Sequence, residues 1–124
     1  MTNVVAAVIE HDGRILIAQR RNTPPHALKW EFPGGKVEPG ETLEAALLRE
    51  LQEELDIRAR IKREMMRYAY QYPGQPPILL IFYRVADYSG QPRNLAFEQI
   101  QWVLPERLRE YDFLEGDAPF LAIF

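Results

Sequence analysis

Residues 47 to 57 read LLRELQEELDI, and this stretch decides the fold. Leu43, Leu47, Leu48, Leu51 and Leu55 fall in one sector of about 140° on an α-helix, the width of a face that packs on a sheet. Beside them Glu50, Glu53 and Glu54 crowd a narrow arc. At about 100° per residue, Glu53 lies about 60° to one side of Glu50 and Glu54 about 40° to the other. Like charges at these spacings destabilise a helix by roughly a few tenths of a kcal/mol per pair. Glu54 also projects between Leu43 and Leu47, at the edge of the core, where an unpaired charge is costly. Something should offset that repulsion.

Working outward, Thr42 is placed to cap the helix, Glu44 stands in its first turn where the dipole favours a carboxylate, and Asp56 tolerates the left-handed geometry that ends it. Upstream, PGGKVEPGE packs Pro33, Gly34, Gly35, Pro39 and Gly40 into loop chemistry that lets backbone approach a ligand closely. RNTPPHALKW, residues 21–30, reads as a surface loop, and residues 4–10 and 14–20 as a strand pair joined at Asp12-Gly13. Downstream, residues 58–70, the run from Ile78 and residues 98–104 read as strands. PERLREY reads as a short helix and DAPFLAIF as a terminal one, with Asp117 at its cap position. This order predicts an α/β fold, a mixed sheet with helices on both faces, in a single domain over residues 1–124.

Composition narrows the function. The chain has no cysteine, which removes disulfides, thiolate catalysis and cysteine-bound zinc, and fits a reducing compartment. A net charge of −3 argues against polymeric nucleic acid, whose phosphates need a clustered basic surface. The early apolar run VVAAVI has no basic stretch before it and is too short for a signal peptide or a membrane span. The expectation is a cytoplasmic protein, monomeric or weakly dimeric, with no membrane partner.

Three carboxylates on one arc, preceded by a glycine loop, make an oxygen-rich site for a hard divalent cation such as Mg²⁺ or Mn²⁺, an ion usually bound together with substrate phosphates. Arg49, four residues before Glu53, is placed to orient it. GKVEPGETLEAALLRELQEELDI, residues 35–57, resembles the Nudix box: Gly, five residues, Glu, seven residues, then Arg-Glu-apolar-x-Glu-Glu-x-Gly-apolar. Gly35, Glu41, Arg49, Glu50, Leu51, Glu53, Glu54 and Ile57 match, and Asp56 stands where the pattern has its last glycine. WEFPGGK, AQRR and YDFLEGDAP extend the resemblance to the MutT-type branch, which hydrolyses nucleoside triphosphates to monophosphate and pyrophosphate within an α/β/α sandwich.

The resemblance implies that Glu50, Glu53 and Glu54 bind divalent metal, joined by the Gly34 carbonyl and by Glu98, which stands in the spacing E-x-x-x-W with Trp102. Either Glu50 or Glu53 would deprotonate the attacking water. Arg20, Phe32 in WEFPGGK, and Lys36 match positions that meet phosphate or base, and Asp117 the position where similar enzymes set an Asn or Asp against the nucleobase. Without a ligand role, Glu98 is an ordinary exposed strand-end carboxylate and Arg20 a surface charge. Tyr70, Tyr72 and Phe82 could line a base pocket, although strand aromatics more often serve the core. His11 and His26 read as surface residues.

An ionised Asp117 accepts hydrogen bonds only, so it would be repelled by N7 of guanine and attracted to the protonated N7 of 8-oxoguanine. The expectation is therefore an 8-oxo-dGTP pyrophosphohydrolase. Its rivals are a CTP or dCTP pyrophosphohydrolase and, from another class, a non-catalytic Nudix nucleotide-binding module. The last is disfavoured because every box carboxylate is present.

Overall fold

The structure, a computed structural model, describes all residues from Met1 to Phe124. Its strands are β1 (Thr2–His11), β2 (Arg14–Gln19), β3 (Trp30–Glu31), β4 (Gly34–Lys36), β5 (Arg58–Tyr70), β6 (Ile78–Ser89) and β7 (Gln99–Val103), with one α-helix, α1 (Leu43–Leu55). Asp12 and Gly13 both take positive φ, 52° and 77°, and turn β1 into β2 so that Glu10 faces Ile15 and His11 faces Arg14. Beyond those pairs the two strands part. β1 runs parallel to β6, from Thr2 opposite Ile78 to Ile9 opposite Val85, while β2 pairs antiparallel with β7.

The divergence creates the site. Trp30 and Glu31 pair with Gln19 and Ala18 of β2, three residues later Gly34 to Lys36 pair with β1, and between them the Pro33 carbonyl accepts the Ala7 N–H at 2.8 Å. Residues 30–36 therefore stitch the parted strands together. Sequence placed Trp30 and Gly34 to Lys36 in loops; they belong to strands of two and three residues because the open edges of β1 and β2 satisfy their backbone groups.

β1 is buried on both sides, which explains its unbroken apolar run. Val5, Ala7 and Ile9 face α1, where Ala46, Leu47, Leu51 and Leu55 pack over Ile81 and Tyr83. Ala6 and Val8 face the opposite core, built around Phe82, Phe120, Leu108 and Phe113. Leu48, expected in the packing face, is 39% exposed. It lies at the margin of the sector, and the buried arc is shifted toward Ala46 instead. The helix ends behave as expected: the Thr42 hydroxyl accepts the Ala45 N–H at 3.1 Å, and Asp56 is left-handed at φ 56° with its N–H on the Gln52 carbonyl.

The second face is covered by two 3-10 helices, Pro105–Glu110 and Ala118–Ile123, where the sequence predicted ordinary helices. Each spans six residues with proline in its first turn, too short to repay α-helical nucleation. Asp117 is not a side-chain cap: its backbone is helical at φ −85° and ψ −18°, which turns the carboxyl away from the N–H groups that follow. No helix is long and apolar enough to cross a membrane.

Candidate active site

The glutamate arc of α1 faces β4 across the split. Gly35 makes this approach possible, since a Cβ there would lie 2.6 Å from the Glu50 carboxyl carbon. Gly34 is constrained by the sheet itself, where a Cβ would meet the Val5 carbonyl oxygen at 1.9 Å. Opposite it, Glu54 accepts the Gly34 N–H at 3.2 Å.

Arg49 organises the other carboxylates. Its Nε and Nη2 donate to the two oxygens of Glu41 at 2.7 and 2.9 Å, its Nη1 donates to Glu50 at 2.9 Å, and its Nη2 also reaches the Lys36 carbonyl at 3.2 Å. The contact with Glu53 expected from helical spacing is present but longer, at 3.4 Å. Glu41, held by Arg49 and by the Glu38 N–H, has its pKa lowered to about 2. Glu53 keeps most of its side chain in solvent, 58% exposed, so of the three arc glutamates it is the one most open to solution.

A cleft of about 230 Å³ opens beside this arc, lined by Arg20, Glu31, Glu54, Phe97 and the loop residues Arg21, Thr23, Pro24 and Pro25. Its floor is electrostatically frustrated. Burial, followed by the charges of Glu50 and Glu31, raises the Glu54 pKa to about 9, with only the Gly34 N–H opposing it. Burial likewise raises Glu31 to about 7 against the pull of Arg20, whose Nη1 donates to it at 3.3 Å. Glu50 is pushed up by burial despite Arg49. Glu31 was not singled out from the sequence. The signal was a charged residue between two aromatics in Trp30-Glu31-Phe32, both buried, which places a carboxylate in the wall of a core.

No three carboxylate or imidazole side chains converge as a ready cation cage; Glu50 is engaged by Arg49 and Glu54 by the Gly34 N–H. The donor set nevertheless fits a hard divalent ion. Glu54 is a half-buried carboxylate with a single N–H donor, its neighbours are further carboxylates, and Gly35 leaves the space beside them clear.

The remaining expected residues are spread around this centre. Glu98 is exposed just before β7 and its N–H donates to the Gln19 carbonyl, with no side-chain partner. The Lys36 side chain is exposed. The Phe32 ring is 2% exposed and packs on Phe82, Phe113 and Phe120, so what it offers polar chemistry is its backbone. That N–H donates to Asp117 Oδ2 at 3.3 Å. Asp117 is 5% exposed, and burial followed by the charge of Glu31 raises its pKa to about 8. That burial works against the ionised form of Asp117 and toward the neutral acid. Phe82 belongs to the core, stacked on Phe120 at 4.0 Å, and cannot line a base pocket. His11 is exposed as expected, whereas His26 is half-buried and lies 4.7 Å from the Tyr72 ring.

Comparison with known proteins agrees with this geometry. The NUDIX domain model matches residues 1–124. The chain is 40% identical over 124 residues to the CTP pyrophosphohydrolase of Escherichia coli (strain K12), covering 100% of this chain and 91% of that one. It is 35% identical over 119 residues to the 8-oxo-dGTP diphosphatase of Haemophilus influenzae, covering 95% of this chain and 87% of that one. Among solved structures, the E. coli ORF135 protein superposes with a TM-score of 0.88 at 39% identity, over 98% of this chain and 86% of that one. The chain belongs to the NUDIX family and is a hydrolase of phosphoanhydrides. Enzymes of this family generally need a divalent metal.

Proposed function

We propose that this chain, as a single domain over residues 1–124, is a Mg²⁺-dependent nucleoside triphosphate pyrophosphohydrolase that releases nucleoside monophosphate and pyrophosphate. Mn²⁺ can substitute. The observation that carries the reading is the Glu50, Glu53 and Glu54 arc set against Gly34 and Gly35 beside a cleft with Arg20 in its wall. Glu50, Glu53, Glu54 and the Gly34 carbonyl would hold the cation, with Glu98 a further ligand. Bound there, the ion would supply charge neutralisation of the triphosphate and make water easier to deprotonate.

The chain's own residues do the rest. Glu50 or Glu53 takes the proton of the attacking water as its oxygen bonds to the β-phosphorus. The bond from that phosphorus to the oxygen bridging toward the α-phosphorus breaks, and the monophosphate leaves with the electron pair. Arg49 keeps Glu50 and Glu53 on one side of the site, and Arg20 and Lys36 contribute positive charge toward the phosphates.

Asp117 selects the base, with Phe32 presenting its amide to it. A neutral carboxyl offers one donor and one acceptor. The O6 and protonated N7 of 8-oxoguanine complement that pair, while the O6 and N7 of guanine present two acceptors and do not. Sanitation of 8-oxo-dGTP is thus the reading of choice. N3 and N4 of cytosine complement the pair equally well, and the relative named CTP pyrophosphohydrolase favours CTP or dCTP as a second reading. Pyrophosphate release from 8-oxo-dGTP, dGTP, CTP, dCTP and UTP with Mg²⁺ distinguishes them. Highest kcat/KM for 8-oxo-dGTP supports the first, highest for a cytidine nucleotide the second, and equal values for all five refute base selection.

A further inference from the structure

Two phenols grip the residue before Asp117. The Tyr68 hydroxyl donates to the Gly116 carbonyl at 2.6 Å, and the Gly116 N–H donates to the Tyr72 oxygen at 2.9 Å. One bond fixes the peptide plane entering residue 116 and the other the plane leaving it toward Asp117. The approach depends on glycine, because a Cβ at 116 would lie 2.6 Å from the Tyr72 oxygen. Glycine has the widest torsional freedom of any residue, so a glycine beside a functional carboxyl leaves it loose unless both flanking peptides are held.

Both rings are themselves anchored. Tyr68 stacks on Phe82 at 5.7 Å, and Phe82 on Phe120, three residues beyond Asp117. Tyr72 packs on Tyr70 at 4.9 Å and on His26 at 4.7 Å. His26 belongs to the loop whose Thr23, Pro24 and Pro25 line the cleft, so Tyr72 joins the cleft wall to the Asp117 turn.

We propose that Tyr68 and Tyr72 are positioning residues for base selection: they set the two peptide planes of Gly116 and, through them, the Asp117 carboxyl. This rests on the reading of Asp117 as the base contact. Replacing tyrosine by phenylalanine keeps the ring packing and removes only the hydroxyl, a change that loosens Asp117 without emptying the core.

The test measures kcat and KM for 8-oxo-dGTP, dGTP, CTP and UTP with Mg²⁺ in wild type, Tyr68→Phe, Tyr72→Phe, Asp117→Ala and the double variants. Each Tyr→Phe is expected to lower the ratio of kcat/KM between the best and worst nucleotide by about threefold to tenfold, the size of one lost hydrogen bond. The loss falls on KM, with kcat on the best substrate within about twofold of wild type. In the Asp117→Ala background the same changes leave the ratio unmoved, because the carboxyl they position is gone. Wild-type ratios in both Tyr→Phe variants, beside a lowered ratio in Asp117→Ala, overturn the positioning role while the base reading stands. An equal loss in the Asp117→Ala background also overturns it, since the phenols would then act on the base by themselves. An unchanged ratio in Asp117→Ala overturns the base reading and this inference together. Should Tyr72→Phe not fold, the Tyr68→Phe pair of measurements decides alone.

Discussion

Arg49 and Glu41 form a two-pronged pair, with Nε on one carboxylate oxygen at 2.7 Å and Nη2 on the other at 2.9 Å. Glu41 lies in the loop before α1 and Arg49 two turns into the helix, so the pair ties the glycine loop to the carboxylate arc. The guanidinium is left with Nη1 free to meet Glu50 and Glu53.

That division of labour predicts the outcome of Arg49→Lys. A lysine carries the charge but not the planar fork, so it cannot hold Glu41 with two bonds and still reach Glu50. Loss of a group that orients metal ligands typically costs about 10-fold to 100-fold in activity or metal affinity. Arg49→Lys is expected to lose activity in that range and to need more Mg²⁺ for half-maximal rate. A variant within twofold of wild type on both counts would show that charge alone suffices.

The two β4 glycines should fail differently. At Gly34 an added methyl meets the Val5 backbone, which cannot yield without breaking the β1 and β4 pairing, so Gly34→Ala should fold poorly or show a markedly lowered Tm. At Gly35 the obstacle is the Glu50 side chain, which can rotate away. Gly35→Ala should keep a Tm near wild type and lose activity by about tenfold or more if Glu50 holds the cation as proposed, because the added methyl displaces its carboxylate. Circular dichroism melts and steady-state rates on both variants check the contrast; equal Tm losses would erase it.

Glu54 predicts a pH dependence for the metal-free protein. Its folded pKa of about 9 stands above the ordinary value of 4.5, so the folded state binds more protons than the unfolded between those limits. Stability is then greatest below about pH 4.5 for this group and falls as pH rises toward 9. One such group contributes a slope of at most about 1.4 kcal/mol per pH unit. Asp117, raised to about 8, adds to the same trend. Urea unfolding in EDTA from pH 5 to 9 should show stability falling with pH, and Glu54→Gln should fall less steeply. Parallel curves for the two proteins would mean that Glu54 does not carry a buried charge.

What the sequence made legible was local. The helix, its Thr42 and Asp56 ends, the Asp-Gly hairpin and the carboxylate arc all follow from side chains within a few residues of one another. Glu31, its strand β3 and the following β4 were hidden because two or three residues carry no periodicity, and only the parting of β1 and β2 gives them partners. Leu48 was misplaced because an angular sector does not reveal where its sheet ends. The Asp117 contact with Phe32 spans 85 residues, and the Tyr68 and Tyr72 contacts with Gly116 span 48 and 44, separations at which no pattern in the chain announces a meeting. The burial that pushes the Asp117 pKa upward was hidden for the same reason, since burial is a property of the packed molecule.

The central claim is that the α1 carboxylates run cation-assisted cleavage between the α- and β-phosphates, and Glu53→Gln tests it most directly. Glutamine keeps the size of the side chain and removes its basicity, and Glu53 is exposed enough for the fold to be indifferent. The decisive measurement is phosphorus NMR of products from 8-oxo-dGTP and CTP, with wild type and Glu53→Gln, in Mg²⁺ and in EDTA. The expected result is nucleoside monophosphate and pyrophosphate from wild type in Mg²⁺ only, with Glu53→Gln slower by about 10²-fold to 10⁴-fold. Turnover in EDTA, nucleoside diphosphate with orthophosphate as products, or a Glu53→Gln enzyme within twofold of wild type would contradict it.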